Sequence, residues 1–140
     1  MEIYLLKGLD NFEFGLTKDS FIENNPDKIN FELVEEEEEL KTEAISLSEI
    51  NSYLYFEGDE TELLMTACAT ENKDAILFSK KVFDMSKEEI SSLMKLQGFK
   101  EMEEDTEEWG EERLSFYDAM VDFFFEEGKL VSVSWGILIL

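Results

Sequence analysis

The chain contains no histidine, and this absence removes several kinds of enzyme at once. Ser-His-Asp and Cys-His catalysis both need an imidazole as the general base, and many metal sites use imidazole as a ligand. The patterns G-x-x-x-x-G-K-[ST] and G-x-G-x-x-G are also missing, so the sequence offers no phosphate-binding loop. We therefore expect no catalytic residue, no cofactor and no metal, and we predict that the protein is not an enzyme.

Cysteine occurs once, at Cys68, so the chain cannot form an internal disulfide. The surrounding run LLMTACAT points this thiol inward, which predicts a buried and inert cysteine. Glu2 stands where a secretory signal would carry positive charge, and no stretch approaches the roughly 18 apolar residues of a membrane span. These features predict a cytoplasmic protein.

Basic residues are scarce, since 12 of them face 35 acidic residues and leave a net charge of −23. A field of this sign speeds the encounter with cationic partners and repels the phosphates of nucleic acids and anionic membranes. We therefore predict a basic protein as the partner, and neither nucleic acid nor membrane. Apolar residues make up 44% of the 140 residues, which is enough to build the core of one domain.

The two halves of the chain present local signals in the same order. Residues 14–57 align with residues 83–126 without a gap, at a shift of 69 positions. In FDMSKEEI, Ser86 is placed to cap a helix and Glu89 to complete a capping box. FGLTKDSF repeats this helix start around Thr17. We predict a single domain, 1–140, built of two repeats at about 1–69 and 70–140.

Alternating apolar residues after each helix predict a three-stranded antiparallel meander in each half. The expected turns are near Asp118-Ala119 and Glu127-Gly128 in the second half, and at Glu49-Ile50 and Gly58-Asp59 in the first. Residues 74–78 and 136–140 are further candidate strands. The predicted fold is α+β, with two tandem helix-plus-meander repeats that form one sheet and helices packed on one face.

Strand alternation separates the side chains into two sheet faces. One face is uniformly large and apolar, and we expect it beneath the helices: Ile45, Leu47, Leu54, Phe56, Leu114, Phe116, Phe123 and Phe125. The other face mixes tyrosine and serine with few aliphatic residues: Ser46, Ser48, Tyr53, Tyr55, Ser115, Tyr117, Asp122, Phe124, Ser132 and Ser134. Such a mixture suits contact with another protein, although an ordinary solvated sheet face has a similar composition.

Acidic residues are concentrated between each predicted helix and the first strand after it. Residues 35–39 are all glutamate, and they align with residues 104–108, of which only Thr106 is not acidic. We interpret the two segments as an acidic rim beside the open sheet face, which would set the rate and orientation of binding. The alternative is a solvated charged surface. Trp109, within EEWGEE, is either an anchor for the partner or a cover over a helix edge, whereas Trp135 is expected in the core.

Two tandem units of helix plus antiparallel strands, with aromatic residues on an open sheet face, resemble the β-lactamase-inhibitor-protein type of fold. The openings FGLTKDSF and FDMSKEEI are similar to the repeat starts of that group, in which an aromatic or apolar residue precedes Gly-Met-Ser/Thr-x-x-Glu. The resemblance extends to small bacterial immunity and inhibitor proteins and implies a protein that binds another protein. The secreted inhibitors carry disulfides and a signal peptide. This chain has neither, so the resemblance points to an intracellular binder.

The sequence thus favours a non-catalytic inhibitor, specifically an immunity protein that occludes a basic toxin or enzyme domain. The alternative is an acidic mimic of nucleic acid that binds a DNA- or RNA-binding protein, and an enzyme that uses carboxylates alone is a third hypothesis. The predicted partner-binding residues are Tyr53, Tyr55, Tyr117, Phe124, Trp109, Glu35, Glu36, Glu37, Glu38, Glu39, Glu107 and Glu108. The sequence leaves the oligomeric state open.

Overall fold

The computed structural model describes residues 1–138, which form a mixed α+β fold dominated by strands. The elements in chain order are β1 (Glu2–Tyr4), β2 (Gly8–Leu9), β3 (Phe12–Glu13), α1 (Lys18–Asn24), β4 (Glu32–Glu37), β5 (Leu40–Leu47), β6 (Ser52–Gly58), β7 (Leu63–Thr70), β8 (Ile76–Leu77), β9 (Lys80–Lys81), α2 (Lys87–Leu96), β10 (Met102–Thr106), β11 (Glu111–Phe116), β12 (Val121–Glu126) and β13 (Lys129–Gly136). Short 3₁₀ turns at Ser48–Ile50 and Val82–Asp84 complete the described part of the chain. Neither α1 nor α2, the helices within residues 1–138, is long and apolar enough to cross a membrane.

Eight antiparallel strands form the larger sheet, in the order β10-β11-β12-β13-β7-β6-β5-β4. The strands of residues 32–70 therefore occupy one side of this sheet, and the strands of residues 102–136 occupy the other. The two sides meet where β7 pairs with β13, with Thr70 opposite Val133 and Ala67 opposite Gly136. Strands from distant parts of the sequence thus lie side by side at the centre of the sheet.

A second, smaller sheet has the order β3-β2-β1-β8-β9, and β1 and β8 run parallel in it. The prediction of one sheet is therefore wrong. Strands of two or three residues are too short to show an alternating pattern, which is why the sequence did not reveal this sheet. The indole Nε1 of Trp135 donates a hydrogen bond of 2.9 Å to the carbonyl oxygen of Gly8, so a buried contact ties the two sheets together.

Both helices begin at the predicted caps. Thr17 accepts a 3.0 Å hydrogen bond from the backbone N–H of Ser20. Ser86 and Glu89 form the complete capping box, with reciprocal bonds of 3.1 and 3.0 Å. After α2 the chain turns at Gly98, whose φ of +94° is a conformation that glycine adopts without strain.

The eight large apolar residues predicted beneath the helices are all buried. Phe21 of α1 packs against Phe56 of β6 with ring centroids 5.6 Å apart. The apolar side of α2 buries Ile90, Leu93 and Met94. Trp135 is buried as well, as the sequence predicted.

The acidic segments are strands, which corrects the expectation that each meander has three strands. Residues 32–37 pair with β5 as strand β4, and residues 102–106 pair with β11 as strand β10. Of the other candidate strands, residues 74–78 contribute only Ile76–Leu77, in the smaller sheet. The last candidate strand, residues 136–140, is described as far as residue 138, and of these three residues only Gly136 belongs to a strand; residues 139 and 140 lie outside the described residues.

Candidate functional site

The candidate site is the side of the larger sheet opposite the buried phenylalanines, and we call this side the open face. Its side chains form a continuous cross-strand row because the paired residues face the same way. Ser46 lies opposite Tyr53, Tyr53 opposite Ala69, and Ala69 opposite Ser134. The row continues from Ser134 to Asp122, then to Ser115 and Glu103. Residues from both halves of the chain therefore share one surface.

The tyrosines lie on this face as predicted. Tyr53 is 41% exposed, and Tyr55, two residues further along β6, is partly buried. Burial raises the pKa of the Tyr55 hydroxyl, and the neighbouring Tyr53 raises it further, so this phenol stays neutral. Phe124 of β12 is also partly buried, opposite Ser132. These rings offer rigid contact area with little side-chain freedom to lose.

Tyr117 follows β11 and is 55% exposed. Its hydroxyl donates a hydrogen bond to the Glu103 carboxylate, and this bond is the main reason that the pKa of Tyr117 is raised. The phenol is thereby fixed beside the β10 edge strand. Of the three predicted tyrosines, Tyr117 therefore lies furthest from the centre of the sheet.

A polar network on the second half of the open face was missed by the sequence reasoning. The Arg113 guanidinium donates to the Asp105 carboxylate, and the Ser115 hydroxyl donates to the Asp122 carboxylate. Burial alone would lower the pKa of Arg113, but the bond to Asp105 and the charges of Asp105 and Asp122 together outweigh it, and the pKa is raised. Ser115, predicted on the open surface, is buried within this network. Arg113 precedes Ser115 by two positions, so strand alternation could have placed it on this face.

Small residues occupy the two central strands of the open face. Ala67 and Ala69 of β7 lie opposite Gly136 and Ser134 of β13. A Cβ at position 136 would lie 2.6 Å from the carbonyl oxygen of Thr66, so glycine is required there. Strand alternation about the inward-pointing Cys68 places Ala67 and Ala69 on the opposite, outward face.

The acidic clusters form two hairpins at opposite edges of the sheet, and we call them the acidic hairpins. The first is β4–β5, with Glu38 and Glu39 at its turn and all six residues of β4 exposed. The second is β10–β11, which turns at residues 107–110. Seven strand spacings separate the two edges, which is about 34 Å. Glu35 to Glu39, Glu107 and Glu108 are all exposed, so the predicted rim is divided between both ends of the open face.

Trp109 is 75% exposed at the turn of the second acidic hairpin, followed by Gly110 with a φ of +94°. Its exposure excludes the role of a cover over a helix edge, which was one of the two predicted alternatives. The structure thus places Tyr53 and Tyr55 on one side of the two central strands of the open face and Phe124 on the other, with Trp109 and the glutamates at the edges of the sheet.

Cys68, on the opposite side of β7, is buried, and burial raises the pKa of its thiol well above the usual value. Across residues 1–138, no three histidine, cysteine or carboxylate side chains are grouped so that they could hold a metal ion.

The chain matches no known protein family, and comparisons with characterised proteins and with solved structures found no significant match.

Proposed function

We propose that this protein is a non-catalytic inhibitor that binds a basic protein domain through the open face, in the manner of an immunity protein that neutralises a toxin. The observation that carries the proposal is the position of Tyr53, half-exposed beside the two central strands of an eight-stranded sheet whose two edges are lined with carboxylates. An aromatic centre with a charged border is the usual anatomy of a protein-binding surface. The buried thiol agrees with a cytoplasmic location, which is part of the proposal.

The two parts of the surface would have different tasks. The net charge of −23 and the exposed acidic hairpins attract a basic domain and orient it during the encounter. The open face then excludes water over its tyrosines and small residues and supplies most of the affinity. Inhibition follows from occlusion of the partner's own site, which must be basic if it binds phosphate. No turnover is involved.

We also propose that the fold is a doubled helix-plus-meander unit of the β-lactamase-inhibitor-protein type. Equivalent ion pairs support this proposal: Lys18 contacts Glu43, and Lys87 contacts Glu112, each residue being 69 positions from its counterpart. The helix caps Thr17 and Ser86 are separated by the same interval. A doubled unit explains why both halves contribute corresponding strands to the open face.

Purified protein fixed on a column at low salt, with a cytoplasmic extract passed over it, tests the function. We expect a basic protein to bind with one-to-one stoichiometry, to lose its own activity in the complex, and to dissociate as salt screens the charges. Tyr53→Ala should weaken this binding by about tenfold or more, as loss of a central aromatic contact does. Tyr4→Ala is the matched control, because Tyr4 is 45% exposed but belongs to the smaller sheet.

The same experiment separates this function from mimicry of nucleic acid. A mimic would lose binding when Glu35 to Glu39 are changed to lysine and would tolerate Tyr53→Ala. For an inhibitor that binds through the open face, Tyr53→Ala should weaken binding more than the changes at Glu35 to Glu39 do. Failure to find a basic partner, or binding that is indifferent to salt, would contradict the proposed function.

A further inference from the structure

The centre of the open face carries only small residues, and we call this area the recess: Ala67 and Ala69 on β7, and Ser134 and Gly136 on β13. Residues on the flanking strands are larger, namely Tyr53 and Tyr55 on β6 and Asp122 on β12. The recess is two strands wide, so about 14 Å separates the backbones of β6 and β12. Ala67 and Ala69 are two residues apart along β7, or about 7 Å. An area of this size matches the tip of one projecting loop of another protein.

The two walls of the recess differ in chemistry. Along the central row, Tyr53 stands next to Ala69 on one side, and Asp122 stands next to Ser134 on the other. A cation placed between these two walls has a favourable partner on each side, because the face of an aromatic ring attracts positive charge and a carboxylate accepts hydrogen bonds. A guanidinium also stacks on aromatic rings through its planar group.

The charge around the recess favours the same occupant. On the second half of the open face, the carboxylates of Glu103, Asp105 and Asp122 outnumber the one guanidinium, Arg113, whose charge is taken up by Asp105. Asp122 accepts a hydrogen bond from the neutral hydroxyl of Ser115. This bond does not neutralise the carboxylate. Arg113 also attracts Asp122, but one guanidinium among three carboxylates leaves this part of the open face negative.

We propose that the recess receives an arginine or lysine side chain, carried on a projecting loop of the basic partner. The side chain lies against Tyr53 and places its charge beside Asp122. This inference rests on the proposed function, and it locates the docking point at the centre of the open face instead of at the acidic hairpins. The hairpins then steer the partner without holding it.

A titration with a minimal probe tests the recess without knowledge of the partner. The probe is N-acetyl-L-arginine amide, added to the ¹⁵N-labelled full chain at low salt while amide chemical shifts are followed by NMR. The matched probe is the corresponding citrulline amide, which has nearly the same shape and no charge. We expect saturable shifts at Tyr53, Ala69, Ser134 and Asp122, and binding of the citrulline probe about threefold or more weaker.

Three variants sharpen the test. Tyr53→Ala and Asp122→Asn should each weaken binding of the arginine probe by about threefold or more, whereas Tyr4→Ala should leave it unchanged. Ala69→Leu fills the recess from an open-face position and should abolish the saturable shifts. The dispersion of the remaining amide signals reports that each variant is folded, so that loss of binding is not confused with unfolding.

The possible results of the titration separate the recess inference from the proposed function. Shifts that spread along β4 and β10 without saturation, or equal binding of the charged and neutral probes, would overturn the inference. If the arginine probe fails while a basic protein still binds through Tyr53, the recess inference is wrong and the proposed function stands. If the probe binds in the recess but no basic protein binds the chain, the proposed function is wrong and the recess remains a cation site.

Discussion

At the scale of single residues, Trp135 and Trp109 illustrate how position decides what a side chain contributes. Trp135 is buried and donates its indole N–H to Gly8, which lies 127 positions earlier in the chain. Trp109 projects from the turn of an acidic hairpin and is mostly exposed. The first residue contributes to stability, whereas the second is free to contact a partner.

Replacement of each tryptophan by phenylalanine tests this division. Trp135→Phe leaves the Gly8 carbonyl oxygen buried without its donor, and we expect the free energy of unfolding to fall by about 2 kcal/mol. Trp109→Phe is the control, with an expected change within about 0.5 kcal/mol. Urea unfolding followed by circular dichroism measures both variants. Equal losses in the two variants would contradict the structural role of Trp135.

Residue-level features were predictable from the sequence where they depended on local spacing. Ser86 and Glu89 could be recognised because a capping box needs only four consecutive residues. The contact between Arg113 and Asp105 could not, because it depends on the register of β10 against β11. The five donors of an arginine have many candidate acceptors in so acidic a chain, and only the register selects one.

At the scale of elements, the edge strands explain the placement of the acidic residues. Edges β4 and β10 carry unpaired backbone groups that could pair with a second chain. Leu33 and Val34 are exposed on β4, next to Glu32, Glu35 and Glu36. Carboxylates on such an edge repel an identical edge of another molecule and keep the apolar pair from associating.

Removal of these charges should allow the β4 edge to pair with the same edge of another molecule. We expect the triple variant Glu35→Gln, Glu36→Gln and Glu37→Gln to form dimers or larger species in proportion to concentration, measured by sedimentation velocity. The control variant has the same loss of charge at exposed positions away from β4 and β10: Glu23→Gln, Glu60→Gln and Glu71→Gln. A monomeric edge variant, or equal association of both variants, would contradict the protective role of the edge glutamates.

The sequence predicted the inner strands of the larger sheet well and its edge strands poorly, for a physical reason. Strands that bury one face place large apolar residues at every second position, as β6 does with Leu54 and Phe56 and β12 with Phe123 and Phe125. Strand β4 buries neither face, so its side chains need not alternate, and glutamate has low intrinsic preference for strands. Its conformation is imposed by pairing with β5, and that pairing leaves no local signal.

At the scale of the whole molecule, self-repulsion opposes the compact state. With a net charge of −23, most carboxylates have no basic residue available to them. The Lys18 and Lys41 ammonium groups both contact Glu43, where their bonds lower the pKa of the carboxyl although its burial alone would raise it. Such pairs are too few to offset repulsion among the remaining acidic residues.

Added salt should therefore stabilise the protein. Between about 0.01 and 0.1 M NaCl the screening length falls from roughly 30 to 10 Å, which weakens repulsion across the sheet. We expect Tm to rise by about 4 °C over this range, which corresponds to roughly 1 kcal/mol at this chain length. Scanning calorimetry measures the change.

A variant with Glu35 to Glu39 changed to glutamine should show a smaller rise, because less repulsion remains to be screened. A Tm that falls with salt would mean that attraction in ion pairs such as Lys87–Glu112 outweighs the repulsion.

The central position of β13 also dictates the order of events during synthesis. Strand β7 leaves the ribosome long before β13. The backbone groups along one edge of β7 therefore have no pairing partner until residues 129–136 have been made. Pairing across so long an interval is slow, and waiting strands of this kind are prone to aggregation. The high net negative charge keeps nascent chains apart and so opposes their aggregation. The same repulsion that lowers the stability of the folded protein therefore protects the chain during synthesis.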